Sequence, residues 1–248
     1  MRDLGEDRSP VSAAGAAVLV APTVEEIAAF ARRLGLDAVD SDDAARIDRL
    51  SALETLRCST EASLTETTAD FVVSQRGLAA DRGVPVERRD RGVAAQVALA
   101  RRESPHRGQL DVELAMLLRR GELPHTRAAF RDGHIDAYKV TLIARETACL
   151  SVEHRALVDE RLCADPEVVE GMSLRQLVGT LHRSAAELDP AAVAERRRRA
   201  EADRHTTLRP APDTMTWFGA LLSVKNGVAV HARACQLFCV RQLVTGRG

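Results

Sequence analysis

The sequence is poor in aromatic residues, which make up only 3% of its 248 residues, and it contains just two lysines and one asparagine. Alanine, leucine and arginine dominate instead, and these residues lose little side-chain entropy in a helix. Because 45% of the residues are hydrophobic, a chain of this length can bury a substantial core. We therefore expect a mainly α-helical fold.

The sequence also lacks a hydrophobic run long enough to cross a bilayer. The apolar run at residues 11–21 is shorter than the roughly 20 residues of a spanning helix. The residues before it are net acidic, whereas a signal peptide begins with basic residues. The five cysteines are odd in number and lack paired-loop spacing, which is typical of reduced thiols. We predict a cytoplasmic protein that does not bind membranes.

Several catalytic signatures are missing as well. There is no Gly-x-Ser-x-Gly motif, no glycine-rich phosphate loop and no dinucleotide fingerprint. His231, Cys235 and Cys239 follow each other at four-residue spacing, so on a helix the first and last would lie about 12 Å apart. One tetrahedral ion cannot easily collect all three, and the pattern predicts buried thiols that face the core. We predict no metal and no other cofactor, and independent enzymatic activity is the function that the sequence supports least.

Apolar periodicity and punctuating residues divide the chain into three parts. Residues 1–41 are expected to form an acidic, partly disordered segment with a short helix. Residues 42–204 are expected to form successive helices. Residues 205–248 predict a β-hairpin, because two β-prone runs flank a Pro-Ala-Pro-Asp turn, followed by a final helix. The predicted fold class is mainly α, a multi-helix bundle with a C-terminal β-hairpin and final helix.

Capping residues and helix-breaking residues indicate where the expected helices begin and end. The first helix starts at the Thr23/Glu26 capping box, carries an apolar stripe and ends at Gly35, and a linker is expected at residues 81–92. The other expected helices run from about 43 towards Phe71, over 93–102 and 109–120, from Pro124 to Gly133, from Asp136 to about Leu150, from Ser151, from the Ser173/Gln176 capping box, from Asp189-Pro190, and over 227–244.

The stretch LPHTRAAFRDGHIDAYKVTLIARE, residues 123–146, is the most distinctive segment. Ala129 followed by Gly133 has the spacing of a helix-turn-helix, which makes the segment either a DNA-docking unit or a plain corner of the bundle. His134 follows the glycine, but no second acid, base or nucleophile lies nearby in sequence. We predict that His134 is a solvated turn residue.

Basic residues in two segments are the candidate phosphate contacts. Residues 1–70 contain 7 basic and 14 acidic residues, whereas residues 71–248 contain 28 basic and 22 acidic ones. The run ERRRRAEADR at residues 195–204 would place about two arginines on one helix face, although its carboxylates also fit a purely solvated helix. The predicted DNA contacts are Arg127, Arg131, Lys139, Arg145, Arg197 and Arg198. The predicted structural turn and cap positions are Pro124, Gly133, Asp189 and Pro190.

Two segments together resemble the 13E12-repeat family of high-GC actinobacteria. They are the stretch just described and LDPAAVAERRRRAEADRHTTLRPAPDTMTWFGALL at residues 188–222, and the similarity extends over roughly residues 43–248. The matching residues are Leu123, Pro124, Thr126, Ala129, Gly133, Ile135, Asp189, Pro190 and Gly219. The resemblance implies a helical domain of unknown function that usually precedes an HNH endonuclease domain, often in mobile or repeated elements.

The HNH site itself is not expected in this chain. Such a site needs a histidine base, a metal-binding histidine pair and usually an asparagine. The sequence has only Asn226, no His-His pair and no Cys-x-x-Cys, and it reaches a family-like Val-Thr-Gly segment without the longer stretch that usually precedes it. We expect a truncated or solitary, non-catalytic module that associates with duplex DNA. The alternative is a helical scaffold that pairs copies, as a homodimer, or binds partner proteins without nucleic acid.

Overall fold

The computed structural model describes residues 21–36 and 42–245, and for residues 237–245 it describes only the helical backbone. The predicted disorder at the start of the chain and the predicted burial of Cys239 lie outside the described residues. The described part is mainly helical with one two-stranded antiparallel sheet, as predicted. None of its helices has the combination of length and apolar character that a membrane span requires.

The helices and strands follow one another in a simple order. The helices are α1 (Val24–Leu34), α2 (Asp43–Asp81), α3 (Val93–Arg101), α4 (Pro105–Arg119), α5 (Pro124–Arg131), α6 (Ala137–Thr147), α7 (Val152–Cys163), α8 (Pro166–Glu170), α9 (Leu174–Leu188), α10 (Pro190–Ala202) and α11 (Val224–Thr245); a short 3-10 helix covers Val86–Arg88, and the strands β1 (His205–Pro210) and β2 (Thr216–Leu221) lie between α10 and α11.

The chain divides into two units, Met1–Asp48 and Arg49–Gly248. In the first unit, the Thr23/Glu26 capping box starts α1 as predicted. The Glu26 N–H donates to the Thr23 hydroxyl at 3.2 Å, and the Thr23 N–H donates to the Glu26 carboxylate at 2.7 Å. The apolar stripe of α1, which includes Ile27, Phe30 and Leu34, is exposed.

The second unit contains two clusters of buried apolar residues. The larger cluster is formed mainly by α5, α6, α7 and α9, and its bulkiest fully buried side chains are Phe130, Leu123, Ile135, Ile143, Leu177 and Leu181. The smaller cluster joins the second half of α2 to α3 and α4 through Val72, Val93, Val97 and Val112. The caps at Asp136, Ser151, Ser173 and Asp189 and the break between α2 and α3 are confirmed.

Four element bounds differ from the prediction. Helix α2 continues past Phe71 to Asp81 because Val72 is packed in the smaller cluster. Helix α4 begins at Pro105 rather than near residue 109, since the Ser104 hydroxyl accepts from the Arg107 N–H. Helix α6 ends at Thr147, and α11 begins at Val224. The five-residue helix α8 was not predicted.

Strands β1 and β2 form the predicted hairpin. Leu208 pairs with Phe218 and Arg209 with Trp217 in the antiparallel register. Residues of both strands are exposed or half-buried on both faces of the hairpin. The predicted burial of Cys235 on α11 is wrong, because this cysteine is exposed.

Candidate nucleic-acid interface

The start of α5 is held by a carboxylate from another helix. Leu123, at the N-cap position, has no side chain that could satisfy the free N–H groups there. Asp159 of α7 is completely buried and accepts from the N–H groups of His125 at 2.7 Å and Thr126 at 2.9 Å, and from the Thr126 hydroxyl at 2.5 Å. A negative charge at a helix N-terminus is also favoured by the helix dipole. Asp159 therefore fixes where the α5–α6 corner begins.

Gly133 makes the turn of that corner, as predicted. Its φ is +89°, and a Cβ at this position would lie 2.7 Å from the Thr55 backbone oxygen and 2.6 Å from the Ser59 hydroxyl. The turn is therefore buried against α2, and only glycine fits both the backbone conformation and the available space. His134 is not simply solvated, because its Nδ1 lies 2.6 Å from a carboxylate oxygen of Glu170.

Helix α6 is too deeply buried to act as a base-reading helix. Its exposed positions between the caps are Tyr138, Thr141 and Arg145, which form one narrow stripe. A recognition helix has to insert a broad face into the major groove. Of the two interpretations of residues 123–146, the geometry favours the bundle corner, and any contact with DNA here would be made to phosphates from the surface.

Three predicted DNA contacts near the corner already have partners. Arg127 forms an ion pair with Glu66 of α2 at 3.0 Å, and Arg131 forms one with Asp132 at 3.1 Å. The Lys139 ammonium donates to the backbone carbonyls of Val169 at 2.8 Å and Glu170 at 2.9 Å, so it caps the end of α8. The Lys139 ammonium is therefore already engaged in a structural contact.

Arg145 belongs to a cluster that the sequence did not reveal, which we call the Glu146 cluster: Glu146, Arg145, His182 and Arg196. The Glu146 carboxylate is buried and is reached from three helices. Arg145 Nη2 lies 2.9 Å from one carboxylate oxygen, and His182 Nε2 lies 2.9 Å from the other. Arg196 of α10 donates to the same carboxylate and, at 3.1 Å, to the Glu146 backbone carbonyl.

The cluster holds Glu146 in its charged form. Burial by itself raises the pKa of this carboxyl, but the hydrogen bonds from Arg196, His182 and Arg145 outweigh burial and lower the pKa to about 2. A single carboxylate is thus contacted by two arginines and a histidine. The Arg145 side chain is still 64% exposed, so part of its guanidinium faces solvent.

Helix α10 brings the predicted arginine run to this same cluster. Arg196 points inward to Glu146, whereas Arg197 and Arg198 are exposed on α10. Arg198 is bonded to Glu195 at 3.1 Å. Arg197 makes no hydrogen bond or ion pair with any residue that the structure describes. Asp189 caps α10 and Pro190 occupies its first turn, as predicted.

Comparison with known proteins identifies the family of this chain. The family described as a domain of unknown function (DUF222) matches residues 53–238, which extend from α2 into α11. The chain belongs to the DUF222 family. No curated protein and no solved structure matches it.

The structure of this DUF222 domain unites some of the predicted contacts and separates others. Arg145 shares the Glu146 carboxylate with Arg196 of α10, and Arg197 and Arg198 follow Arg196 on the exposed side of that helix. Arg127 and Arg131 lie on α5, and Lys139 contacts the end of α8. Glu146 is the residue from which the cluster could have been recognised in the sequence. It is a charged residue on the buried face of α6, between Ala144 and Thr147, and a buried charge needs partners.

The DUF222 domain offers little to a metal ion. Within residues 21–36 and 42–236, whose side chains the structure describes, no three His, Cys, Asp or Glu side chains are grouped as metal ligands. Cys235 Sγ lies 3.8 Å from the His231 ring, which forms half a site at most. The buried thiol of Cys163 has its pKa raised to about 11 by burial, so it stays protonated and unreactive at neutral pH.

Proposed function

We propose that this chain is a non-catalytic, cytoplasmic DNA-associated module of an HNH-nuclease-like mobile-element protein, as the 13E12-repeat resemblance implies. The observation that carries the proposal is the Glu146 cluster, which connects exposed Arg145 to the arginine run of α10. Arginines from two separate segments, Arg145 on α6 and Arg196 on α10, thus meet at one carboxylate, and the neighbouring Arg197 and Arg198 are exposed. The module would hold an attached or partner HNH domain on duplex DNA.

The chemistry of the exposed arginines suits the phosphates of a duplex. A guanidinium presents five donors in a rigid fork, and charge-assisted bonds to phosphate are strong. Exposed ion pairs such as Arg198–Glu195 contribute at most about 1 kcal/mol, so a phosphate can compete for such an arginine. Arg197 has no ion-pair partner among the described residues, so no such pair has to break before it contacts a phosphate. Glu146 would orient Arg145 and Arg196 without touching DNA.

The test is fluorescence anisotropy with a labelled duplex in increasing salt. We expect binding whose log–log salt slope becomes shallower by up to about 1.8 in Arg197→Ala/Arg198→Ala, because each phosphate that an arginine neutralises accounts for about 0.9. Arg32→Ala/Arg33→Ala is the matched control, because it removes an adjacent arginine pair from α1, outside the DUF222 match. No duplex binding at low salt, or equally weakened binding in both double variants, would contradict the proposal.

A second candidate function is a protein-interaction scaffold without nucleic acid. The observation that favours it is the exposed apolar stripe of α1, where Ile27, Phe30 and Leu34 share one face. Two such helices could pair and bury their stripes. Light scattering of Phe30→Asp and wild type would test this function, since a concentration-dependent mass that the substitution abolishes, without DNA binding, would favour the scaffold.

A further inference from the structure

One face of the hairpin carries an exposed indole beside a guanidinium. Trp217 lies directly opposite Arg209, and Gly219 lies opposite Thr207. Opposite residues share a face, and so do alternate residues of one strand, so these four positions lie on the same face. The Trp217 residue is 72% exposed.

Gly219 leaves this face flat beside the indole. The open bay around it has a volume of about 390 Å³ and is lined by Thr207, Arg209, Trp217, Phe218 and Gly219. A Cβ at position 219 would lie 2.8 Å from the Thr207 hydroxyl, so the floor has no room for a side chain unless Thr207 moves.

The charge of the hairpin segment favours an anionic ligand, and Arg209 is the cation that lines the bay. Residues 204–236 contain Arg204, Arg209, Lys225 and Arg233, and their only acidic residue is Asp213. An exposed aromatic ring with adjacent cations is the combination that binds single-stranded nucleic acid, because bases stack on the ring and phosphates meet the cations. A purely apolar partner would have no use for this surplus of positive charge.

We propose that this face, which we call the Trp217 platform, stacks an unpaired base of single-stranded DNA. The indole supplies the stacking surface, the bay above Gly219 accommodates the edge of the base, and Arg209 contacts a neighbouring phosphate. The proposal deepens the DNA association proposed above and rests on it, but it concerns a different surface. Stacking tolerates any base, so we expect little sequence preference.

The chain's single tryptophan makes the test direct. The emission of Trp217 should be quenched when the full chain is titrated with a thymidine oligomer of about 12 nucleotides, a length within known site sizes. An oligomer of the same length without bases has the same phosphates but cannot stack. Quenching by the base-containing oligomer alone supports the platform, and equal binding of both oligomers would overturn it.

Two substitutions on opposite faces of the hairpin separate stacking from hairpin structure. Trp217→Leu should weaken binding of the labelled thymidine oligomer by about 5- to 150-fold, the range for loss of one stacked base. Leu208→Ala removes an exposed apolar side chain from the opposite face of the hairpin, outside the bay, and should change the affinity by less than about 2-fold. Equally weakened binding in both variants would overturn the assignment to one face.

A third variant keeps the tryptophan and tests the phosphate contact. Arg209→Gln should leave quenching by saturating oligomer unchanged and reduce the log–log salt slope by about 0.7, the value for one phosphate of a single strand. An unchanged slope would remove Arg209 from the platform.

The remaining outcomes separate this proposal from its neighbours. Duplex binding without quenching by the thymidine oligomer would overturn the platform and leave the proposed function standing. Quenching without duplex binding would support the Trp217 platform and contradict the proposed function. A Trp217 emission that shifts with protein concentration in the absence of DNA would mean that a second copy covers this face, and it would overturn the platform.

Discussion

The helical core around α5–α9 and the hairpin use similar apolar residues in opposite ways. Phe130 is 1% exposed in the core, whereas Phe218 is 62% exposed on β2. The core even buries charge, since Asp159 and Glu146 both have full sets of donors. Among the described residues the hairpin has no third strand, and a lone two-stranded hairpin is marginally stable in water. The core is therefore stabilised by its own packing, whereas most of the apolar surface of the hairpin is in solvent.

The same substitution in the two regions should give the largest contrast. Phe130→Ala should lower the free energy of unfolding by about 3–5 kcal/mol, because it leaves a cavity in the larger cluster. Phe218→Ala should change it by no more than about 0.5 kcal/mol, because most of this side chain is already in solvent. Urea unfolding followed by circular dichroism measures both. Similar destabilisation of the two variants would show that the hairpin face is covered.

Two glycines should respond to alanine with opposite signs. Gly133→Ala should cost about 2–4 kcal/mol, since it forces a left-handed backbone on alanine and an overlap with the Thr55 carbonyl. Gly179→Ala, at an exposed position of α9, meets no atom within 4 Å and should stabilise the protein by about 0.5–1 kcal/mol. Thermal unfolding of both variants checks the signs. A neutral Gly133→Ala would mean that the turn is not held against α2.

The smallest effect concerns pH and the Glu146 cluster. The pKa of Glu146 is about 2 in the folded protein and about 4.3 in an unfolded chain, so the folded state binds fewer protons between these values. Its contribution to stability is therefore complete above about pH 4.5 and disappears as the pH falls towards 2. Glu146→Gln should cost about 1–3 kcal/mol at pH 7, and the difference from wild type should shrink below pH 4.5.

The control for this titration is Glu187→Gln, which removes an exposed carboxylate 4.0 Å from Arg161. Urea unfolding at several pH values should give this variant a nearly constant, small difference from wild type. A difference for Glu146→Gln that stays constant down to pH 3 would contradict the lowered pKa.

Local features of the fold could be predicted because their causes are local. A capping box, an Asp-Pro start or a glycine turn involves residues three or four positions apart, so Thr23, Ser173 and Asp189 were recognisable in the sequence. The continuation of α2 past Phe71 could not be predicted in this way. It depends on the packing of Val72 against Val93 and Val97, which lie on the next helix.

The candidate site was predicted only in part for a similar reason. Arg145 and the arginine run were identified by their charge, but the contacts of Glu146 come from residues 36 and 50 positions later. Sequence spacing on one helix cannot show that His182 and Arg196 converge on one carboxylate. It also cannot show that Lys139 is occupied by the carbonyls of α8.

That cap on α8 has a practical consequence for chemical labelling. The chain has two lysines, and the Lys139 amine must break two hydrogen bonds before it can react, whereas Lys225 is exposed at the start of α11. An amine-directed reagent should therefore modify Lys225 well before Lys139. A dye attached at Lys225 would lie a few residues beyond β2, close in sequence to the Trp217 platform, without any engineered cysteine.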